Sequence, residues 1–173
     1  RLKSIKNSSE IKHMISAHIE DGVALTKFIY WIKNINKKKI TEIDSQKKLE
    51  KFRKLNSNYL FPSFNTIAGA GSNGAIVHYR ASKKSNKIIK KKDIFLCDSG
   101  GQYKYGTTDV TRTICFGKPK KSIKDKFTKV LKGHIAVATT DLKKFNTGNK
   151  IDERARYFLK KDGLDYAHGT GHG

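Results

Sequence analysis

Residues 95–114 read FLCDSGGQYKYGTTDVTRTI, and they hold Asp98 and Asp109 apart by glycines, tyrosines and threonines in a chain otherwise crowded with lysine. Eleven extended steps between the two acids would span roughly 36 Å at about 3.3 Å per residue, so they share a site only if the chain doubles back. The residues favour that reversal. FLCD is apolar and β-prone, TTDVTRTICF is rich in Thr, Val and Ile, and Gly100, Gly101 and Gly106 supply turn or bulge positions between them. The expectation is a bent or bulged hairpin that brings two carboxylates towards each other. Neighbouring carboxylates repel unless a cation lies between them, so the pattern points to a hard metal. The alternative is a pair of solvated turn aspartates.

Upstream, SFNTIAGAGSNGAIVHYRAS at residues 63–82 reads as strand, glycine loop, strand. Gly69, Gly71 and Gly74 spell G-x-G-x-x-G, but that dinucleotide fingerprint needs a helix directly after the glycines. AIVHY is β-branched and aromatic, which excludes it. Further upstream, residues 7–35 predict a long helix capped by Asn7 and Glu10, with Ile11, Met14, Ile15, Ile19, Val23, Phe28 and Ile32 on its apolar side. Gly22 marks a bend or a close contact in that reading, and His13 and His18 are surface residues. A basic link at 36–39 leads to a second helix with Thr41 and Asp44 as caps and Leu49, Phe52 and Leu55 on one face. Residues 83–92 read as a polar connector.

Downstream, Ser122 and Asp125 suggest a cap for a third helix with Ile123, Phe127, Val130, Leu131 and Ile135 as its apolar face. A fourth helix runs over about 151–161 with Ala155, Phe158 and Leu159 inward, and Gly163 stops it. There are no repeats at solenoid periods.

The formal net charge of +22 over 173 residues would ordinarily direct attention to a polyanion partner. The lysines instead form short clusters at the ends of periodic segments, without a basic helix, an RNP-like word or finger spacing, so the reading is no specific nucleic-acid partner. No apolar run is long enough to span a membrane, so no membrane partner is expected. Cys97 and Cys115 form no C-x-x-C pair and read as free thiols, which fits a reducing, cytoplasmic setting.

The chain closes on LDYAHGTGHG, where His168 and His172 stand four apart among glycines. The glycines argue against a zinc-binding helix and for a loop passing close to a ligand, the alternative being a glycine-rich turn with two incidental histidines. Two aspartates with imidazole nitrogen make a set that suits Mn, Co, Fe or Zn better than Ca.

CDSGGQYKYGTTDVTRT, GAGSNGAIVHY, VLKGHIAVA and LDYAHGTGHG together resemble the catalytic domain of the X-prolyl aminopeptidase (aminopeptidase P) family, which is related to prolidase, creatinase and methionine aminopeptidase. The resemblance covers nearly the whole chain. It implies an α+β pita-bread fold, present here as an incomplete N-terminal portion of the catalytic domain, with residues 1–173 forming a partial metallopeptidase domain. It also implies two divalent metal ions, usually manganese, with zinc or cobalt compatible. By the same resemblance Asp98 binds one metal, Asp109 bridges both and His172 ligates the other, while His78 contacts substrate near the scissile bond and His168 lines the proline subsite.

The implied reaction is hydrolysis of the bond between an N-terminal residue and a penultimate proline, by a hydroxide held between the metals. The family supplies a further histidine and two metal-binding glutamates after the last motif, and none of Glu42, Glu50 or Glu153 stands in a matching place. The chain alone is therefore expected to be inactive. The family often forms homodimers. Alternatives are a prolidase acting on dipeptides, and a non-catalytic protein of the same fold that binds RNA or protein.

Overall fold

Helix α1, Ser8–Lys33, begins where the sequence places it: Glu10 N donates to Asn7 Oδ1 at 2.8 Å, and Glu10 Oε2 accepts from Asn7 N at 2.8 Å. Thr41 and Asp44 close the same reciprocal box at the start of α2, Glu42–Arg53. Each box satisfies amides that a helix start leaves open. The computed structural model describes residues 5–34 and 39–172, so the expected basic link at 36–39 and the closing Gly173 fall mostly outside the described residues.

The buried side of α1 differs from the one its periodicity marks. Ala17, Asp21, Ala24, Leu25, Phe28 and Ile32 are buried, whereas Ile11, Met14, Ile15, Ile19 and Val23 are 40% exposed or more. Periodicity identifies a stripe without identifying its partner, and here the small Ala17 and Ala24 allow the closer approach. A Cβ at Gly22 would meet nothing within 4 Å, so that glycine marks no close contact. Leu55, expected on the apolar face of the second helix, lies past its end and is 72% exposed.

Six short strands come next in chain order: β1 Tyr59–Pro62, β2 Ile67–Ala70, β3 Ile94–Ser99, β4 Gly101–Tyr103, β5 Gly106–Thr107 and β6 Val110–Cys115. They make two antiparallel three-stranded sheets, ordered β2-β3-β6 and β1-β4-β5. The expected hairpin is thus β3 against β6, with the intervening residues folded out as β4 and β5 to join a second sheet. Leu25, Phe28 and Ile32 of α1, Leu49 of α2, and Ala68, Ala70, Phe95, Cys97 and Ile114 of the first sheet form one core. Beside it Arg53 and Asp21, 0% and 1% exposed, pair at 2.6 Å, and Tyr103 donates to Asp21 at 2.9 Å.

Residues 76–79 are a turn, not the strand that AIVHY suggests. A 3-10 turn at Gly71–Ala75 leads into them, Ile76 and Val77 are exposed, and only Tyr79 is buried. Side chains that favour strands become strands only with a ladder partner, and this segment has none.

The chain divides into two compact units, Arg1–Gly117 and Lys118–Gly173. The second is a pair of helices, α3 Lys121–Ala138 and α4 Gly148–Lys160, crossing where Gly133 meets the backbone of Ala155. Ser122 and Asp125 do not cap α3. Its N-cap is Lys120, without a side-chain hydrogen bond. Phe127, Val130, Leu131 and Ile135, expected on its apolar face, are each about half exposed. In α4, Ala155 and Leu159 are buried as expected, and Gly163 lies just past its end in the left-handed region at φ 68.

Candidate metal and substrate site

Along β3 the side chains alternate, so Phe95, Cys97 and Ser99 enter the core while Leu96 and Asp98 lie on the opposite face. Burial pushes the Cys97 thiol up to about 12, which keeps it protonated and inert, and Cys115 is likewise unpaired. Asp98 stands opposite Thr111 in the β3–β6 ladder, and its Oδ1 accepts from the Thr111 hydroxyl at 2.7 Å.

What returns Asp109 to Asp98 is a crossing of backbones. A Cβ at Gly100 would come within 1.8 Å of the Thr108 carbonyl oxygen, so only glycine fits there. Thr108 is 0% exposed and held on several sides: its N donates to Gly101 O at 2.9 Å, its hydroxyl accepts from Gly101 N at 2.9 Å, and its carbonyl accepts from Ser63 Oγ at 2.8 Å. Residues 98 and 109 flank that crossing.

The two carboxyls are close enough to share a hydrogen bond. Burial raises the Asp98 carboxyl above its ordinary value, Asp109 adds to the rise, and the Thr111 hydroxyl and the charge of His78 oppose it. His78 therefore stands within electrostatic reach of Asp98. It has φ 53, a left-handed conformation that a side chain with a Cβ adopts at a cost of roughly 1 kcal/mol or more, and such residues concentrate at functional sites.

In the second unit the loop after α4 wraps one guanidinium. Arg156 donates through Nε to Asp152 at 2.8 Å, through Nη1 to Asp165 at 2.8 Å and the Tyr166 carbonyl at 2.7 Å, and through Nη2 to the His168 carbonyl at 2.7 Å. It also lies over the Tyr166 ring at 3.9 Å, which in turn packs on the His168 ring at 4.7 Å. Thr170 donates to Asp152 and bonds Tyr166. The Thr170 hydroxyl and then Arg156 pull Asp152 below the usual carboxylate range, and Arg156 does the same to Asp165. His172 lies two residues beyond Thr170.

The structure thus brings Asp98 and Asp109 together in the first unit, with His78 in electrostatic reach of Asp98, and carries His168 and His172 on one loop of the second. Among the described residues, no three His, Cys, Asp or Glu side chains are grouped so as to hold a metal ion. The donor set of the first unit nevertheless fits a divalent cation, because two facing carboxyls, one of them raised by burial, gain from a positive charge between them. Sequence reasoning missed Glu42, buried beneath the His78 turn, and Arg156. Glu42 reads as an ordinary first-turn acid, and no local signal marks a residue whose partners lie 28 to 45 positions away.

Comparison with known proteins gives this arrangement its class. Metallopeptidase family M24 matches residues 12–173, and the chain belongs to that family, with its pita-bread fold. A probable Xaa-Pro aminopeptidase P of Paracoccidioides brasiliensis is 48% identical over 99% of this chain and 28% of its own length. The crystal structure of an X-prolyl aminopeptidase from Caenorhabditis elegans, described as a cytosolic enzyme with a di-nuclear active site, superposes with a TM-score of 0.89 at 37% identity, over 97% of this chain and 28% of that one. A Xaa-Pro dipeptidase from Bacillus anthracis superposes with a TM-score of 0.78 at 27% identity, over 92% of this chain and 42% of that one. The chain spans about 28% of the length of the Paracoccidioides and Caenorhabditis relatives.

Proposed function

We propose that residues 1–173 are part of the catalytic domain of a metal-dependent aminopeptidase that cleaves the bond between an N-terminal residue and a penultimate proline. The observation that carries the proposal is the Asp98–Asp109 pair beside His78, built on a backbone crossing that admits only glycine. Asp98 and Asp109 would hold divalent metal, manganese first and zinc or cobalt as alternatives, with His172 as a further ligand. Bound metal would supply Lewis acidity and an activated water at neutral pH.

The remaining roles belong to the chain's own side chains. His78, exposed beside the acid pair, would donate to the carbonyl oxygen of the scissile bond as charge develops there. His168, packed on Tyr166, would border the pocket for the proline ring. Among the superposed structures, identity of 37% to the nematode X-prolyl aminopeptidase against 27% to the dipeptidase favours longer peptides over dipeptides as substrates. A cytosolic setting accords with two unpaired cysteines and with the description of the nematode relative.

The test uses the complete enzyme with manganese and a tripeptide whose second residue is proline. Turnover is expected, and Asp109→Ala is expected to abolish it together with metal retention on dialysis. Substantial residual turnover in Asp109→Ala overturns the metal assignment. The 173-residue chain alone is expected to bind metal weakly and to show no appreciable hydrolysis.

A further inference from the structure

Glu42 is 0% exposed, and its carboxylate collects four donors from a single excursion of the chain. Oε1 accepts from Ala70 N at 2.7 Å and Asn73 Nδ2 at 3.0 Å, while Oε2 accepts from the Tyr79 hydroxyl at 2.7 Å and Lys87 N at 3.0 Å. Ala70 is where the chain leaves β2, Lys87 is where it returns to α2, and Asn73 and Tyr79 lie between. Both ends of the excursion and its middle therefore hang on one side chain.

His78 lies in the turn midway along this excursion, next to Tyr79. Apolar packing does little to hold it, since Ile76 and Val77 are 54% and 46% exposed, and Tyr79 at 5% is its one buried apolar anchor. Burial raises the Tyr79 hydroxyl above its ordinary value, with Glu42 acting in the same direction and Ser85 against it, so the hydroxyl remains a donor. The strained backbone at His78 persists only where its surroundings over-determine it. Here the polar network on Glu42 does so.

We infer that Glu42 is a positioning residue that sets the place of the His78 imidazole by anchoring both sides of its turn from beneath. The inference rests on the proposed role of His78 in the reaction. Glu42 touches neither the acid pair nor, on that role, the substrate, so its effect passes through His78.

The test is a double-mutant cycle in the complete enzyme with manganese and a penultimate-proline tripeptide: wild type, Glu42→Gln, His78→Ala and the pair. Gln keeps the shape of Glu but presents an NH2 where two donors converge, so the turn shifts without a cavity. His78→Ala is expected to lower kcat by roughly a hundredfold, the loss typical for one donor to a developing oxyanion. Glu42→Gln is expected to lower kcat about tenfold with KM and bound metal unchanged, and to cost nothing further once His78 is alanine.

Hydrogen exchange of residues 71–79 in the metal-free protein gives a second readout. It is expected to rise at least tenfold in Glu42→Gln while α1 is unchanged. Tyr79→Phe, which removes one hydroxyl, should move both readouts in the same direction and serves if Glu42→Gln folds poorly. Equal losses from Glu42→Gln with and without His78 overturn the inference while leaving the role of His78 intact. An unchanged kcat in His78→Ala overturns that role itself, and the inference with it.

Discussion

The turn bearing His78 hangs from a carboxylate that is 0% exposed, whereas the loop bearing His168 and His172 wraps a guanidinium, Arg156, whose side chain is 13% exposed beside half-open carboxylates. Both hubs gather several hydrogen bonds from a segment with few apolar contacts of its own. Removing the hub has a different consequence in each. Around Glu42 the buried Ala70 amide loses its acceptor away from water, and Asn73 and Tyr79 are left with Ser85. Around Arg156 water can replace the lost partner. A segment tied to a buried hub is therefore coupled to the stability of its whole unit, and one tied to a near-surface hub can loosen alone.

Glu42→Ala gives the hardest test of that contrast. It takes the acceptor from the Ala70 and Lys87 amides, at about 1–3 kcal/mol for a buried group, while Asn73 and Tyr79 lose one partner and keep Ser85, so a loss of about 2 kcal/mol or more is expected in urea unfolding. A loss below about 1 kcal/mol would mean that water reaches the network.

Gly133→Ala asks whether the stability of the second unit lies in its helix crossing. The added Cβ would stand 2.2 Å from the Ala155 carbonyl, and about 1–3 kcal/mol of overpacking should outweigh the roughly 1 kcal/mol that alanine gains in helix propensity. A stabilised variant would show that the two helices part easily.

Arg156→Ala should leave the unfolding midpoint nearly unchanged yet speed hydrogen exchange of residues 165–170 and proteolysis within them. Arg156→Lys should restore little, because an ammonium lacks the planar fork that reaches two carbonyls and two carboxylates together. If the midpoint falls as far as in Glu42→Ala, the distinction between the hubs is lost.

The smallest effect belongs to the cap of α2. The Thr41 hydroxyl and amide lower Asp44 below its unfolded value, so its contribution is present above that value and is lost as pH falls through the folded one. Asp44 is exposed, and Asp44→Ala should cost no more than about 1 kcal/mol at neutral pH. The difference from wild type should close as pH falls through the folded value of Asp44. A difference that persisted in acid strong enough to protonate Asp44 in both states would assign the effect to helix packing instead.

Local chemistry was legible at most of the local contacts, the absent Ser122/Asp125 cap of α3 being the exception. The boxes Asn7/Glu10 and Thr41/Asp44 close over three residues, Gly163 stops α4, and the turn-rich insert between two β-prone runs produced the β3–β6 hairpin. Partner choice was not legible. For α1 and α3, periodicity says that an apolar stripe exists and not which neighbour covers it. AIVHY misleads for the same reason, since its residues are strand formers without a strand beside them.

The sequence by itself determined the chemical inventory: two scarce aspartates around glycines, a histidine in GAIVHY and two more in HGTGHG. The order of these words also determined the family. Tertiary structure alone decided that Gly100 must let the Thr108 carbonyl pass, which turns two aspartates eleven residues apart into a pair, and that a first-turn glutamate becomes the buried anchor of the His78 turn. The physical reason is the same in both cases. Residue types and short spacings are written along the chain, but the meeting of backbones and the burial of a charge depend on segments that only folding brings together.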